Sequence, residues 1–229
     1  MIWLFNFLFR SSIGRKVVMS LSGLFLILFL VVHLLGNFQL LADDGGMQFN
    51  QYTRFMTHNP LIKTISYILY FTILLHSVQG ILLALENRKA KGKSYKVPSN
   101  ADVSLFSKYM AHLGIIIFIF LLIHMYQFWL QMKLGNVTMV NYPNSEVAYQ
   151  DLYVMVMATF NNLPFVIFYV ISMLILGMHL WHGFQSAFQT LGLNHQKYNP
   201  LIRYAGMAYA ILVSLGFAVI PIIIYLSQA

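Results

Sequence analysis

At 229 residues, 59% hydrophobic and only 9% charged, with a mean hydropathy of +0.70, the chain is not a water-soluble domain, which carries about a quarter charged residues. Its net charge of +8 would suggest nucleic acid in a soluble protein, but the basic residues occupy short connections between apolar runs, which is a membrane signature. The absence of cysteine excludes iron–sulfur clusters, thiolate-bound metals, covalently attached c-type haem and disulfides from the chain itself.

Taken in order, MIWLFNFLFRSSIGRKVV does not read as a cleavable signal, because its apolar stretch precedes the basic residues. Trp3 to Phe9 is expected to lie along the membrane surface. A first span runs from about Val17 to Leu41, and a polar loop carries the chain past Arg54 and His58 to Asn59-Pro60. A second span covers about Leu61 to Leu85 and ends at Glu86-Asn87-Arg88, followed by a strongly basic connection. The third covers about Tyr109 to Met132, after which a long loop with Tyr142-Pro143-Asn144 leads to a short, partly amphipathic stretch, Leu152 to Phe160. Pro164 to Gln189 and about Leu201 to Leu226 complete the set, with Pro221 expected to kink the last turns. Each span reaches the roughly 20 residues needed to cross a bilayer. The fold expected is an all-α integral membrane bundle of five transmembrane helices in one domain.

Lysine and arginine sort these connections by side. Arg10, Arg15 and Lys16, the residues from Arg88 to Lys108, and Lys197 with Arg203 give eleven on one side, against Arg54, Lys63 and Lys133 on the other. The positive-inside rule therefore expects the N-terminus in the cytoplasm and the C-terminus outside. No stretch reads as a soluble domain, so chemistry on a water-soluble substrate falls to a partner.

Four apolar spans carry an interior histidine: His33, His76, His124 and His179. An imidazole in hydrocarbon is costly unless it is hydrogen-bonded or bound to metal, so each is a functional candidate. The alternating span directions place His33 and His124 in the outer halves and His76 and His179 in the inner halves, at levels roughly 10 Å apart. Two facing imidazoles at each of two heights is the arrangement of two stacked bis-histidine b-type haems. Gly36, Gly80 and Gly183 lie three or four residues after a candidate ligand, on its face of the helix, where a missing Cβ admits a macrocycle. Each glycine taken singly is equally explained by close helix packing. His182 is the rival to His179, while His58, His112 and His195 read as hydrogen-bonded residues near the interfaces. Two ligands on one helix fit poorly, because His112 and His124 are turned about 120° apart.

VVHLLGN around His33, LLHSVQGILLAL around His76, LIHMYQFW around His124 and MHLWHGFQSAFQTLGLN around His179 together resemble the cytochrome b subunit of succinate:quinone oxidoreductases. These are the succinate dehydrogenases and fumarate reductases of the five-helix, two-haem type, and the resemblance spans essentially the whole chain. It favours His179 over His182, because the family motif places glycine four positions after the ligand. It implies two haem b groups, a flavoprotein subunit carrying FAD and an iron–sulfur subunit on the cytoplasmic face of a bacterial inner membrane. The implied function is electron relay between the iron–sulfur subunit and a membrane quinone, with menaquinone expected. It places a quinone near the outer haem, where Gln39, Asp43, Asp44, Arg54 and His58 are the polar candidates. Arg15, Lys16, Tyr198 and Arg203 are candidates for the inner haem propionates, although the positive-inside bias alone accounts for the basic ones. Two other readings stand beside it. One is a haem subunit of a different respiratory dehydrogenase. The other is a proton-coupled transporter, against which stand the lack of membrane-embedded acids and of an evident inverted repeat.

Overall fold

The computed structural model describes residues 2–91, 105–143 and 145–228; most of the basic connection between the second and third spans, with Lys93 and Lys96, lies outside them, as does Asn144. It is a helical bundle, with α1 (Ile2–Arg10), α2 (Ser12–Phe38), α3 (Met47–His58), α4 (Pro60–Lys91), α5 (Leu105–His124), α6 (Gln131–Leu134), α7 (Leu152–Phe160), α8 (Leu163–Thr190) and α9 (Asn199–Gln228). Five helical stretches are long and apolar enough to cross a membrane: Ser12–Leu41, Pro60–Lys89, Lys108–Leu134, Leu163–Thr190 and Asn199–Gln228. At 27 to 30 residues each they measure about 40–45 Å, longer than the hydrocarbon core, so their ends reach the headgroups or the helices tilt. Apolar side chains such as Leu28, Leu35, Phe71, Leu122 and Leu212 face outward from the bundle, as lipid contact requires.

Local chemistry sets the boundaries. The Ser11 hydroxyl accepts from Gly14 N (2.9 Å) and donates to the Phe7 carbonyl (2.6 Å), so the chain turns sharply between α1 and α2. Gly14 is required there, since a Cβ would fall on the Phe7 carbonyl. Helix α4 opens on Pro60 behind Asn59, whose side-chain oxygen accepts from Leu61 N and Ile62 N at 3.0 and 3.3 Å, a capped start with proline at its favoured position. Helix α9 continues through Pro221 to Gln228.

The connection expected to be a polar loop is largely helix α3. Asp44 accepts from Gly46 N and Gln48 N at 3.0 and 2.9 Å, and Gly46 takes φ of 83° with the Tyr153 ring packed against it, a position no other residue fills. The long loop contains a short antiparallel ladder, β1 (Met139–Val140) with β2 (Tyr149–Gln150), pairing Met139 with Gln150 and Val140 with Tyr149. Helix α3, this hairpin and α7 form a cap joined by Asn50, which is 1% exposed. Its amide donates to Tyr142 Oη (2.8 Å) and Asp151 Oδ1 (2.9 Å), and its oxygen accepts from Tyr153 N (3.1 Å). Burial raises the Tyr142 phenol above its ordinary range, with the Asn50 amide acting in the opposite direction.

Among the spanning helices the packed neighbours are α2 with α4, α4 with α5, α5 with α8, and α8 with α2. These four therefore form a ring in which α2 lies across from α5, and α4 across from α8. Helix α9 packs outside the ring on α8 and α2, and Tyr209 Oη ties it to the Ile27 carbonyl of α2 (2.6 Å).

Candidate functional site

The four interior histidines fall on the four ring helices, and the diagonals bring them together in pairs. The His33 and His124 rings stand 5.9 Å apart centre to centre, with their planes 80° apart. His76 and His179 stand 6.4 Å apart at 74°. A metal–nitrogen bond of about 2 Å, with the imidazole centre roughly 1 Å beyond its nitrogen, puts two rings sharing one ion about 6 Å apart.

The second nitrogen of each ring has its own environment. His76 Nδ1 lies 3.0 Å from Ser22 Oγ, and that hydroxyl is 3.0 Å from the Met19 carbonyl. His124 Nδ1 lies 3.4 Å from Tyr169 Oη, which donates to Gln127 Oε1 at 2.6 Å. His33 Nδ1 is 3.5 Å from Asn37 Nδ2, whose main bond is to the His33 carbonyl at 2.7 Å. His179 Nδ1 is buried without a hydrogen-bond partner, as is Gln79 Oε1 one turn beyond His76.

The His33–His124 pair is walled by aromatic rings. Phe29 and Phe217 lie 5.2 and 5.5 Å from His33, and Phe120 and Phe128 lie 5.8 and 5.3 Å from His124. The segment after His124, Met125–Leu130, is π-helical. A π turn accommodates an extra residue inside a helix and is common at functional sites. It carries Gln127 and also Trp129, whose Nε1 donates to Tyr70 Oη of α4 at 2.8 Å.

Glycines adjoin the His76–His179 pair, and two of them escape a reading of the sequence alone. A Cβ on Gly23 of α2 would meet His76 Cε1 at 3.2 Å, and one on Gly114 of α5 would meet His179 Cε1 at 3.6 Å. Each lies ten residues before the histidine of its own helix, a shared offset that is the one sequence signal for them. The three glycines singled out by spacing have other neighbours: Gly36 lies beneath the Tyr52 ring, Gly80 against Met19 Cε and Gly183 against Met110 Cε. Methionine ends are readily displaced, whereas the Tyr52 ring is held within a cap.

The remaining candidates are scattered. His182 is half-buried one turn from His179, while His58, His112 and His195 are exposed. Arg15 forms an ion pair with Glu86 of α4, and Lys16, Tyr198 and Arg203 are exposed. Gln39 is half-buried in the turn ending the first span, Asp43 is exposed, and Asp44 is occupied in capping α3. Arg54 and His58 instead line a cavity of about 280 Å³ with Asn50, Thr53, Thr57 and Gln150. Thr57 Oγ1 and the Arg54 carbonyl lie 3.0 and 2.9 Å from His58 Nδ1, and the Arg54 guanidinium sits 5.6 Å from the Tyr149 ring centre.

The donor set itself discriminates between cofactors. Among the described residues no three His, Asp or Glu side chains converge, whereas a zinc site takes three or four such ligands. Two opposed imidazoles do fit an iron whose other four ligands come from a porphyrin. No family model, curated protein or solved structure matches this chain.

Proposed function

We propose that this chain is a di-haem cytochrome b membrane anchor, the electron-relaying subunit of a succinate:quinone oxidoreductase in a bacterial cytoplasmic membrane. The reading rests on one observation: four imidazoles on four spanning helices meet as two diagonal pairs 5.9 and 6.4 Å apart. In the proposed orientation His76 and His179 hold the inner haem, and His33 and His124 the outer. Bound haem supplies a one-electron couple. The four histidines would hold the two irons through imidazole nitrogens, with phenylalanine walls that exclude water around His33 and His124 and hydrogen bonds that orient the rings. An iron–sulfur subunit with its FAD-bearing partner would dock at the basic, cytoplasmic end.

At the opposite end the cavity beside α3 suits a quinone, with menaquinone the class we favour. His58 Nδ1 faces the Arg54 carbonyl, which can only accept, so Nδ1 carries the hydrogen and Nε2 keeps a lone pair for moving protons to or from the quinone. Arg54 supplies positive charge beside a developing quinone anion. Gln39 and Asp43 are not among the cavity's lining residues.

A reduced-minus-oxidised spectrum with a pyridine haemochrome assay tests the proposal. Two low-spin b haems per chain are expected after expression in haem-replete cells, and a colourless chain overturns it.

A further inference from the structure

We infer that the Ser22 and Tyr169 hydroxyls are positioning residues, one for each haem, fixing the imidazoles of His76 and His124 with Nδ1 protonated and Nε2 free for iron. This rests on the bis-histidine reading and adds to it which nitrogen binds and what enforces the choice. The argument is one of proton accounting. A hydroxyl has one hydrogen to donate. Ser22 Oγ is 3.0 Å from the Met19 carbonyl and Tyr169 Oη is 2.6 Å from Gln127 Oε1, and neither oxygen can donate in return. With its hydrogen committed, each hydroxyl can only accept from the imidazole, at 3.0 Å for His76 and 3.4 Å for His124. The contacted nitrogen must then be N–H, and the remaining one keeps its lone pair.

The placement favours such a role. Ser22 is 7% exposed and Tyr169 is 6% exposed, so water does not compete for either hydroxyl. Neither sits on the helix of the ligand it serves. Ser22 on α2 holds the ligand of α4, and Tyr169 on α8 holds the ligand of α5, each across a packed edge of the ring. The π turn supplies the third member at the outer site, because Gln127 lies within it.

The test uses the full chain purified with its haems, carrying Ser22→Ala, Ser22→Thr or Tyr169→Phe, read by low-spin electron paramagnetic resonance, redox titration and haem retention. Ser22→Ala should shift the g-values and raise the midpoint potential of the inner haem alone, since the imidazole loses the acceptor that makes it a better donor. Tyr169→Phe should do the same to the outer haem alone, and Ser22→Thr should restore the inner signal. Retention of the affected haem should weaken by roughly ten- to a hundredfold, the usual cost of losing such a partner. Two haems with unchanged g-values and potentials in both Ser22→Ala and Tyr169→Phe would overturn the inference and leave the bis-histidine reading intact. A wild-type chain without haem would overturn both.

Discussion

At the scale of single residues, the diagonal pairing of the histidines makes the sharpest prediction. His76→Ala and His179→Ala should each remove the same haem, and His33→Ala and His124→Ala the other, with the losses read as separate bands in low-temperature difference spectra. His182→Ala should spare both. The glycines beside the inner pair give a finer contrast. A methyl on Gly23 would press on His76 at 3.2 Å, whereas on Gly114 it would meet His179 at 3.6 Å, an ordinary contact. Gly23→Ala should therefore disturb the inner haem spectrum and cost about 1–3 kcal/mol of overpacking, while Gly114→Ala leaves the spectrum unchanged. The histidines were legible from sequence because an imidazole in an apolar run is conspicuous by its cost. Ser22, Tyr169, Gly23 and Gly114 were not. Their contacts with the histidines cross from one helix to another, and hydrophobic periodicity gives the face of one helix but not its register against the next.

At the scale of elements, apolar length made the five spans legible. Helix α3 was not, because MQFNQYTRFMTH is polar enough to resemble a loop and buries only Phe49 and Asn50. Its start signal, Asp44-Gly45-Gly46, was readable as a turn but equally as a span terminator. The hairpin has strands of two residues, too short for any alternation to register. The cap these elements form should depend on Asn50, whose side chain bonds to Tyr142, Asp151 and Tyr153 across it. Asn50→Leu would leave the Tyr153 amide and Asp151 without their partner, a loss of about 1–3 kcal/mol. The thermal unfolding temperature of the purified chain should fall accordingly, with any haem held by His76 and His179 spectrally unaltered, because both lie sixteen residues into helices that start at the cap, about 24 Å away.

At the scale of the whole molecule, five crossings would put the two ends of the chain on opposite sides of the membrane, and the charge asymmetry predicts which end is cytoplasmic. With eleven basic residues at one end and three at the other, a reporter that is active only outside the cytoplasm should be active when fused after Ala229 and silent when fused before Met1. Equal activity at both ends would remove the orientation on which the inner and outer labels depend. The ring of four helices has a mechanical side as well. A square frame joined mainly along its edges can shear, and the packed edges α2–α4, α4–α5, α5–α8 and α8–α2 form such a frame. An iron gripped from both sides would act as a brace between opposite corners, one brace on each diagonal and at different heights. Rigidity of the assembled chain would then track haem supply, and a cell short of porphyrin would make a scaffold that racks before it unfolds.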